Sequence, residues 1–279
     1  MIDLHTHSAA SDGTLSPSAL IDLAVKRGLS AVALTDHDTI EGNAEAASAA
    51  AALNLRFMPG IELEIKWNNG GEFHLLGLGI DNPSPGFLAT MAEIARRRQE
   101  RNMEIVEKMN RAGIVTSYDE VISLSGAKNA RGHSIGRPHF ATFLTKRKVV
   151  KSREQAFLRY LAKGKPFYIP KEALDFERAV GIIHESGGIA ILAHPMSLFV
   201  SWGRLPDLIK DFKEKGLDGL EAWHPAAKVS HCRRFEALGK KLELRITAGS
   251  DFHGEASPDR KLGITAGGKK IDDSYWPAV

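Results

Sequence analysis

Short hydrophobic runs alternate along this chain with longer segments whose apolar residues recur at helical spacing. Seven runs are apolar at nearly every position, as is typical of strands covered on both faces. They lie at residues 2–5, 31–35, 55–61, 73–80, 188–194, 219–223 and 244–250. The helical pattern occupies residues 16–28, 39–54, 176–188 and 205–216. This alternation predicts an α/β fold of parallel βα units, and seven strands favour a (β/α)7-like barrel.

The alternation stops between residues 81 and 172, where no strand pattern is convincing. Residues 87–109 have an amphipathic spacing that suits one long helix or two. A loop rich in Gly, Ser and Asn follows at 123–138. We therefore predict a barrel formed by residues 1–80 and 173–279, with residues 81–172 inserted as a helical subdomain that caps the substrate.

The composition is that of an ordinary globular protein, with 279 residues, 43% hydrophobic and 25% charged. A net charge of +3 is mild and argues against a stable complex with long nucleic acid. Cys232 is the only cysteine, so an intramolecular disulfide is excluded. The sequence contains neither a membrane-length apolar run nor a signal-peptide pattern. We expect a cytoplasmic protein without a membrane partner.

Nine potential metal ligands lie at or near the predicted strand ends. Six are imidazoles and three are carboxylates, a donor set that suits hard to borderline divalent ions. They are His5, His7, Asp12, His37, Glu62, His74, His194, Asp251 and His253. Nine ligands are too many for one ion and suit a cluster of two or three. Metal-assisted hydrolysis is therefore the leading functional hypothesis.

Strand geometry explains several of these spacings. His5 and His7 are two residues apart, so a strand end would present both imidazoles on one face. Asp251 and His253 repeat this spacing near the other end of the sequence. A buried carboxylate such as Glu62 is costly unless it is paired or metal-bound.

Two of the nine residues also have other interpretations. His74 lies near the start of its strand, where a half-exposed sheet histidine is the alternative. The sequence Asn-Asn-Gly-Gly at 68–71 is typical of a hairpin turn, which would return His74 to the side of Glu62. For His37 taken alone, a polar loop or a helix cap is an equal alternative.

The segments that contain these residues resemble the motifs of the PHP (polymerase and histidinol phosphatase) superfamily. They read IDLHTHSAASDGT, LTDHDT, PGIELE, GEFHLLG, ILAHP and GSDFHG, and the resemblance extends from residue 3 to residue 254. It implies a distorted (β/α)7 barrel with an inserted helical subdomain. It also implies two to three divalent metal ions, with manganese favoured over iron or zinc.

The resemblance further implies how the ligands are shared. The first ion would be held by His5, His7, Glu62 and Asp251. The second would be held by Glu62, His74 and His194, with Glu62 bridging. The third would be held by Asp12, His37 and His253.

Two segments of the insert narrow the substrate class. SIGRPHFATFL (134–144) and KGKPFYI (163–169) are similar to stand-alone PHP phosphoesterases that act on nucleoside 3′,5′-bisphosphates and short RNA. Arg137 and His139 can donate hydrogen bonds to phosphate, and Lys165 adds a point charge. Ordinary solvated surface is the alternative interpretation of these side chains.

Three further residues are candidate substrate contacts. Arg97 and Arg101 are one helical turn apart and could reach a second phosphate, although a charged stripe is usually the solvated face of a helix. His224 follows the sixth predicted strand and could contact substrate from its end.

The resulting hypothesis is a metal-dependent phosphoesterase with a small phosphorylated substrate. It would remove the 3′-phosphate of nucleoside 3′,5′-bisphosphates, leaving an AMP-type product, or degrade short 5′-phosphorylated RNA. A hydroxide bridging two ions would attack phosphorus, with Glu62, Asp251, His253 and Arg137 as catalytic residues. The alternatives are a histidinol-phosphate-type or other small phosphoester hydrolase, an amidohydrolase-like C–N hydrolase and a non-catalytic PHP module.

Overall fold

The computed structural model describes residues 1–125, 135–170 and 173–277. These form two compact units, the first comprising Met1–Ala89 and Ala173–Val279 and the second comprising Thr90–Glu172. Most of the predicted Gly/Ser/Asn-rich loop, residues 126–134, lies outside the described residues. Within the described residues, no helix is both long and apolar enough to cross a membrane.

One seven-stranded sheet organises the first unit, and its strands are neighbours in chain order. They are β1 (Ile2–Asp3), β2 (Ala31–Leu34), β3 (Arg56–Glu64), β4 (His74–Leu78), β5 (Ile189–Leu192), β6 (Gly219–Trp223) and β7 (Arg245–Ala248). The backbone N–H of Leu4 donates to the carbonyl of Ala248, and Thr6 bridges to Phe252, so the sheet nearly closes on itself. This confirms the seven predicted strands and the distorted barrel.

Strand β4 departs from the predicted parallel arrangement. The pairs β1–β2, β2–β3, β5–β6 and β6–β7 are parallel, whereas β4 is antiparallel to both β3 and β5. The connection through residues 65–73 is too short for a crossover helix, so the chain reverses as a hairpin. The register pairs Glu64 with His74, as the turn predicted at 68–71 requires.

Helices cover the sheet of the first unit at the predicted places. They are α1 (Pro17–Lys26), α2 (Asn43–Ala52), α7 (Phe176–Glu185), α8 (Leu205–Glu214) and α9 (Val229–Lys241). The Ser16 hydroxyl accepts a hydrogen bond from the Ala19 N–H and caps α1. The sequence analysis did not predict α9, which buries only a narrow set of residues. A small antiparallel pair, β8 (Ile264–Thr265) and β9 (Lys269–Lys270), was also not predicted.

The second unit contains helices and a hydrophobic core of its own. One long helix, α3 (Pro85–Arg111), begins in the first unit and continues into the second, which decides between the one-helix and two-helix interpretations. The other helices are α4 (Tyr118–Ser125), α5 (Arg137–Lys146) and α6 (Arg153–Ala156), the last leading into a π-helical turn. Phe140, Phe143 and Phe167 are fully or almost fully buried in this core.

Candidate metal centre

All nine predicted ligands lie at one edge of the barrel sheet. Those that follow parallel strands reach this edge from the strands' carboxyl ends, where sites of βα barrels are normally built. His74 reaches the same edge from the start of β4, because that strand runs in the opposite direction. The antiparallel hairpin therefore supplies a ligand that a strictly parallel sheet would place at the far end.

Glu62 is at the centre of the cluster and is 1% exposed. Its Oε1 lies 2.9 Å from both His74 Nδ1 and His194 Nε2. Its Oε2 lies 3.1–3.3 Å from a ring nitrogen of each of His5, His7 and His37. Both oxygens of one carboxylate thus face imidazoles, the arrangement expected of a bridging ligand.

Two further carboxylates complete the cluster. Asp251 Oδ1 lies 3.4 Å from His5 Nε2 and 3.2 Å from His7 Nε2. Asp12 Oδ1 lies 3.2 Å from His253 Nε2, and its other oxygen lies 4.0 Å from His37 Nε2.

Three sets of these residues have ligand atoms that all lie within 4.8 Å of one another. They are His5, His7, Glu62 and Asp251; His7, Asp12, His37 and His253; and His37, Glu62 and His74. His194 joins the last set through Glu62 and through His74 Nδ1, which lies 3.3 Å from its Nε2. The structure therefore gathers all nine predicted ligands.

Several buried atoms of the cluster suit a positively charged partner. His5 Nε2, both ring nitrogens of His7, and Glu62 Oε2 have no hydrogen-bond partner within the described residues. His5 Nε2 and His7 Nε2 nevertheless lie 3.3 Å from that carboxylate oxygen. Buried polar atoms without partners are costly, and converging imidazole and carboxylate lone pairs are suited to a divalent ion.

The charges of the cluster shift its pKa values strongly. Burial opposes ionisation of Glu62, yet the surrounding histidines, His37 first, hold its pKa well below the usual range. Burial likewise disfavours a charged His7, but Asp251 and Glu62 outweigh it and raise the pKa of His7 to about 10. Burial prevails at His37 and lowers its pKa to about 4.

Three residues at the same edge have strained backbone conformations. His194 has φ 26°, Asp251 has φ 52° and Asp38 has φ 53°, all in the left-handed region that residues other than glycine rarely occupy. Such conformations cost on the order of 1–3 kcal/mol each and persist where surrounding contacts fix them. At His194 one such contact is the backbone N–H, which donates to Glu221 Oε2 at 2.6 Å.

Glu221 is a site residue that the sequence analysis missed. It lies on β6, is 1% exposed, and its Oε1 is 3.0 Å from His5 Nδ1. One carboxylate therefore orients the ring of His5 and the backbone at His194. The available signal was a single acidic residue within the apolar run GLEAW (219–223).

Asp36 stabilises the loop that leads from His7 to Asp12. It accepts hydrogen bonds from the Ser8 N–H at 2.8 Å, the Ser8 hydroxyl at 2.7 Å and the Ser11 hydroxyl at 2.5 Å. Burial raises the pKa of Asp36. These bonds fix the turn that carries Asp12.

His224, predicted as a substrate contact, lies at the cluster. Its Nε2 is 3.1 Å from Asp251 Oδ2, and the Arg260 guanidinium also contacts that oxygen. His224 lines a cavity of about 370 Å³ together with most of the predicted ligands. It therefore contacts Asp251 and lines the cavity, and its contact with substrate stays a prediction.

The other predicted substrate contacts belong to the second unit. The Arg137 guanidinium lies 5.3 Å from the centre of the Tyr168 ring, and His139 Nδ1 accepts the Gly136 N–H at 3.1 Å. Arg97 and the buried Arg101 line a cavity of about 250 Å³ within this unit. The role of these residues, and of Lys165, in binding phosphate stays a prediction.

Comparison with known proteins agrees with this geometry. Residues 3–169 match the PHP domain, and the chain belongs to that family. A 5′-3′ exoribonuclease of Haemophilus influenzae is 37% identical over 251 residues, which cover 90% of this chain and 89% of the relative. A 3′,5′-nucleoside bisphosphate phosphatase of Chromobacterium violaceum is 35% identical over 275 residues, covering 99% and 95% of the two chains.

Two solved structures resemble the whole chain. One, described as a metal-dependent phosphoesterase of Bifidobacterium adolescentis, has a TM-score of 0.85 and 28% identity, covering 98% of this chain and 93% of that one. The other, a Chromobacterium violaceum protein named an amidohydrolase and solved with sulfate and no metal, has a TM-score of 0.84 and 34% identity, covering 98% and 92%. Family, relatives and site together define a metal-dependent phosphoester hydrolase.

Proposed function

We propose that this enzyme removes the 3′-phosphate of nucleoside 3′,5′-bisphosphates and releases mononucleotides from short 5′-phosphorylated RNA. The observation that carries the proposal is the 35% identity to a 3′,5′-nucleoside bisphosphate phosphatase along nearly the full chain. The exoribonuclease relative supports the RNA activity. Both substrates present a phosphate ester of a ribonucleotide, so one site can serve both reactions.

We further propose that two to three divalent ions, with manganese preferred, bind at the nine-residue cluster. His5, His7, Glu62 and Asp251 would hold one ion, Glu62, His74 and His194 a second, and Asp12, His37 and His253 a third. When bound, such ions lower the pKa of water and neutralise charge on phosphoryl oxygens. The buried atoms of His5, His7 and Glu62 without partners in the described residues support this assignment.

The chain's own residues would position the substrate around these ions. Glu62 directs Oε2 toward the group that contains His5 and Oε1 toward the group that contains His74. It would therefore keep these two ligand groups at a fixed separation. His224 lies beside Asp251 and lines the cavity, so its imidazole would orient that carboxylate and face the leaving oxygen, while His253 would act through the third ion. Arg137, His139 and Lys165 remain proposed phosphate contacts on the strength of their sequence motifs.

The proposal is tested with manganese-loaded protein and two substrates. Adenosine 3′,5′-bisphosphate should yield AMP and inorganic phosphate, and a short 5′-phosphorylated RNA should yield mononucleotides, both measured by chromatography. Histidinol phosphate and a simple amide serve as comparison substrates. Preferential turnover of either comparison substrate would reject the nucleotide proposal.

We expect Glu221→Gln to weaken metal binding and kcat/KM by about 10- to 100-fold, the range for residues that orient metal-ligating histidines. Each Glu221 oxygen accepts one N–H, from His5 and from the backbone of His194. A glutamine offers only one oxygen, so one of the two contacts is lost. Metal affinity measured by titration calorimetry checks this.

The matched control is Glu214→Gln, which removes an exposed carboxylate from α8. Metal affinity of this control should equal that of the unsubstituted protein. Equal affinity in the Glu221→Gln protein as well would show that Glu221 does not orient the ligands.

A further inference from the structure

The cavity at the metal centre is lined by two chemically different sets of residues. One set is polar and includes the clustered ligands Glu62 and Asp251. The other set, which we call the apolar wall, consists of Pro195, Met196, Phe199, Ala226, Ala227 and Phe235. Their side chains contain no hydrogen-bond donor or acceptor apart from the weakly accepting sulfur of Met196. A ligand that fills this cavity therefore needs a charged end and an apolar part.

Phe199 is an aromatic residue of the apolar wall that is largely exposed to solvent. It is 76% exposed, the largest exposure among the large hydrophobic side chains of the described residues. An aromatic ring left in water forfeits the free energy that its burial would supply. Because Phe199 lines the cavity, a molecule bound there can recover this free energy.

The backbone fixes Phe199 close to the metal centre. A short 3-10 turn, Pro195–Leu198, joins the ligand His194 to Phe199. The Ser197 side chain holds this turn, since its hydroxyl lies 2.8 Å from His194 Nδ1 and donates to the Glu72 carbonyl at 2.8 Å. Phe199 itself has φ 52°, a left-handed conformation for a non-glycine residue. The Phe199 ring therefore extends from a segment whose backbone is fixed by hydrogen bonds and strained, and not from an unconstrained loop.

We propose that Phe199 is the stacking platform for the nucleobase of the substrate, with the apolar wall as the base subsite. This inference rests on the proposed nucleotide function and deepens it. A nucleobase is flat and has a π-face, so it gains from stacking on an aromatic ring. A sugar or peptide group would instead place unpaired polar atoms against the wall, which is unfavourable. The cavity of about 370 Å³ is within the usual size for small-molecule sites.

The test compares substitutions at Phe199 on two substrates of the manganese-loaded enzyme. The first is adenosine 3′,5′-bisphosphate, and the second is an analogue that keeps the ribose and both phosphates but lacks the base. Phe199→Ala should lower kcat/KM for the nucleotide about tenfold, chiefly by raising KM, since loss of one base–aromatic stack is of that size. The base-free analogue should be hydrolysed equally by both proteins.

Two conservative variants separate stacking from simple apolar packing. Phe199→Tyr keeps the ring and should retain nucleotide kcat/KM, whereas Phe199→Leu keeps apolar bulk and should lose most of it. Both keep a Cβ at the same left-handed position, so they change the backbone strain little. Leu53→Ala, which truncates another exposed hydrophobic residue at the end of α2, is the control.

Each outcome decides the inference. A loss of kcat/KM on the nucleotide but not on the base-free analogue, in both the Phe199→Ala and Phe199→Leu proteins, supports Phe199 as the stacking platform. Equal losses on both substrates would assign Phe199 to the support of His194 and overturn it, as would unchanged kinetics of Phe199→Ala. Failure of the unsubstituted enzyme to hydrolyse the nucleotide would overturn the bisphosphate phosphatase part of the proposed function and the base subsite with it.

Discussion

Glu62→Gln is expected to lower kcat/KM for phosphate release by about a thousandfold or more and to reduce the bound metal. Glu62 directs one oxygen toward His74 and His194 and the other toward three further histidines. An amide nitrogen at either position would turn a donor toward a metal ion. Metal ions contribute several kcal/mol of charge stabilisation in hydrolysis, and each 1.36 kcal/mol is a factor of ten in rate.

The measurements are steady-state kinetics and metal content by elemental analysis, with Glu41→Gln as the matched control. Glu41 is an exposed carboxylate outside the cluster, so its loss should change neither quantity. Full metal content with full activity in Glu62→Gln would exclude a bridging role for Glu62. Full metal content without activity would restrict Glu62 to catalysis.

Removal of divalent metal by a chelator is expected to abolish phosphoester hydrolysis while leaving the fold intact. The emptied ligands can pair with one another, since His253 Nε2 lies 3.2 Å from Asp12 and His74 Nδ1 lies 2.9 Å from Glu62. The barrel also has a core independent of the cluster, including Leu20, Ile21 and Val32. Circular dichroism before and after chelation, with activity restored by added manganese, checks this. Loss of helical signal on chelation would instead make the metal structural.

Reloading of the metal-free protein should depend on pH. His7, with a pKa raised to about 10, and His74, with a pKa raised to about 9, are protonated at pH 7, and a metal ion must displace those protons. Metal affinity should therefore increase as the pH rises from 7 to about 9, by up to tenfold per pH unit for each proton displaced, and more slowly up to about pH 10, where only His7 still carries its proton.

The stability of the metal-free fold should show the opposite trend and decrease as the pH rises. Histidines with raised pKa values stabilise it fully below their ordinary value of 6.5, and this contribution is lost as the pH rises through about 9 to 10. Calorimetry of binding and of thermal unfolding across this range measures both trends. A metal affinity that does not change with pH would contradict this protonation of His7 and His74.

The strands could be predicted from the sequence because each is a buried apolar run with distinct boundaries. The direction of β4 was harder, since hydrophobicity is the same for a parallel and an antiparallel strand. Only the turn-forming residues at 68–71 indicated the reversal. Helix α9 was missed because many of its residues are charged and it buries little besides Cys232, Phe235 and Gly239.

The nine clustered residues could be predicted because histidines and carboxylates stand out at the ends of apolar runs. Glu221 could not be assigned, since its two contacts are made to His5 and His194, each two residues beyond the end of its strand. Phe199 carries no sequence signal, because only the fold shows an exposed phenylalanine beside a cavity. For Arg137 the sequence motif identifies a positively charged side chain, but it does not show where a phosphate would bind.

The separation of the ligands along the chain has a consequence for biogenesis. His5 and Glu221 touch across 216 residues, and the group that includes His5 also requires Asp251. A growing polypeptide therefore cannot offer this four-ligand group until most of its length has been synthesised. The helical core of residues 105–167, by contrast, closes through nearer contacts, which form faster. Metal binding by this group is accordingly a late event that requires a complete barrel. A stalled or truncated chain without Asp251 would lack the four-ligand group.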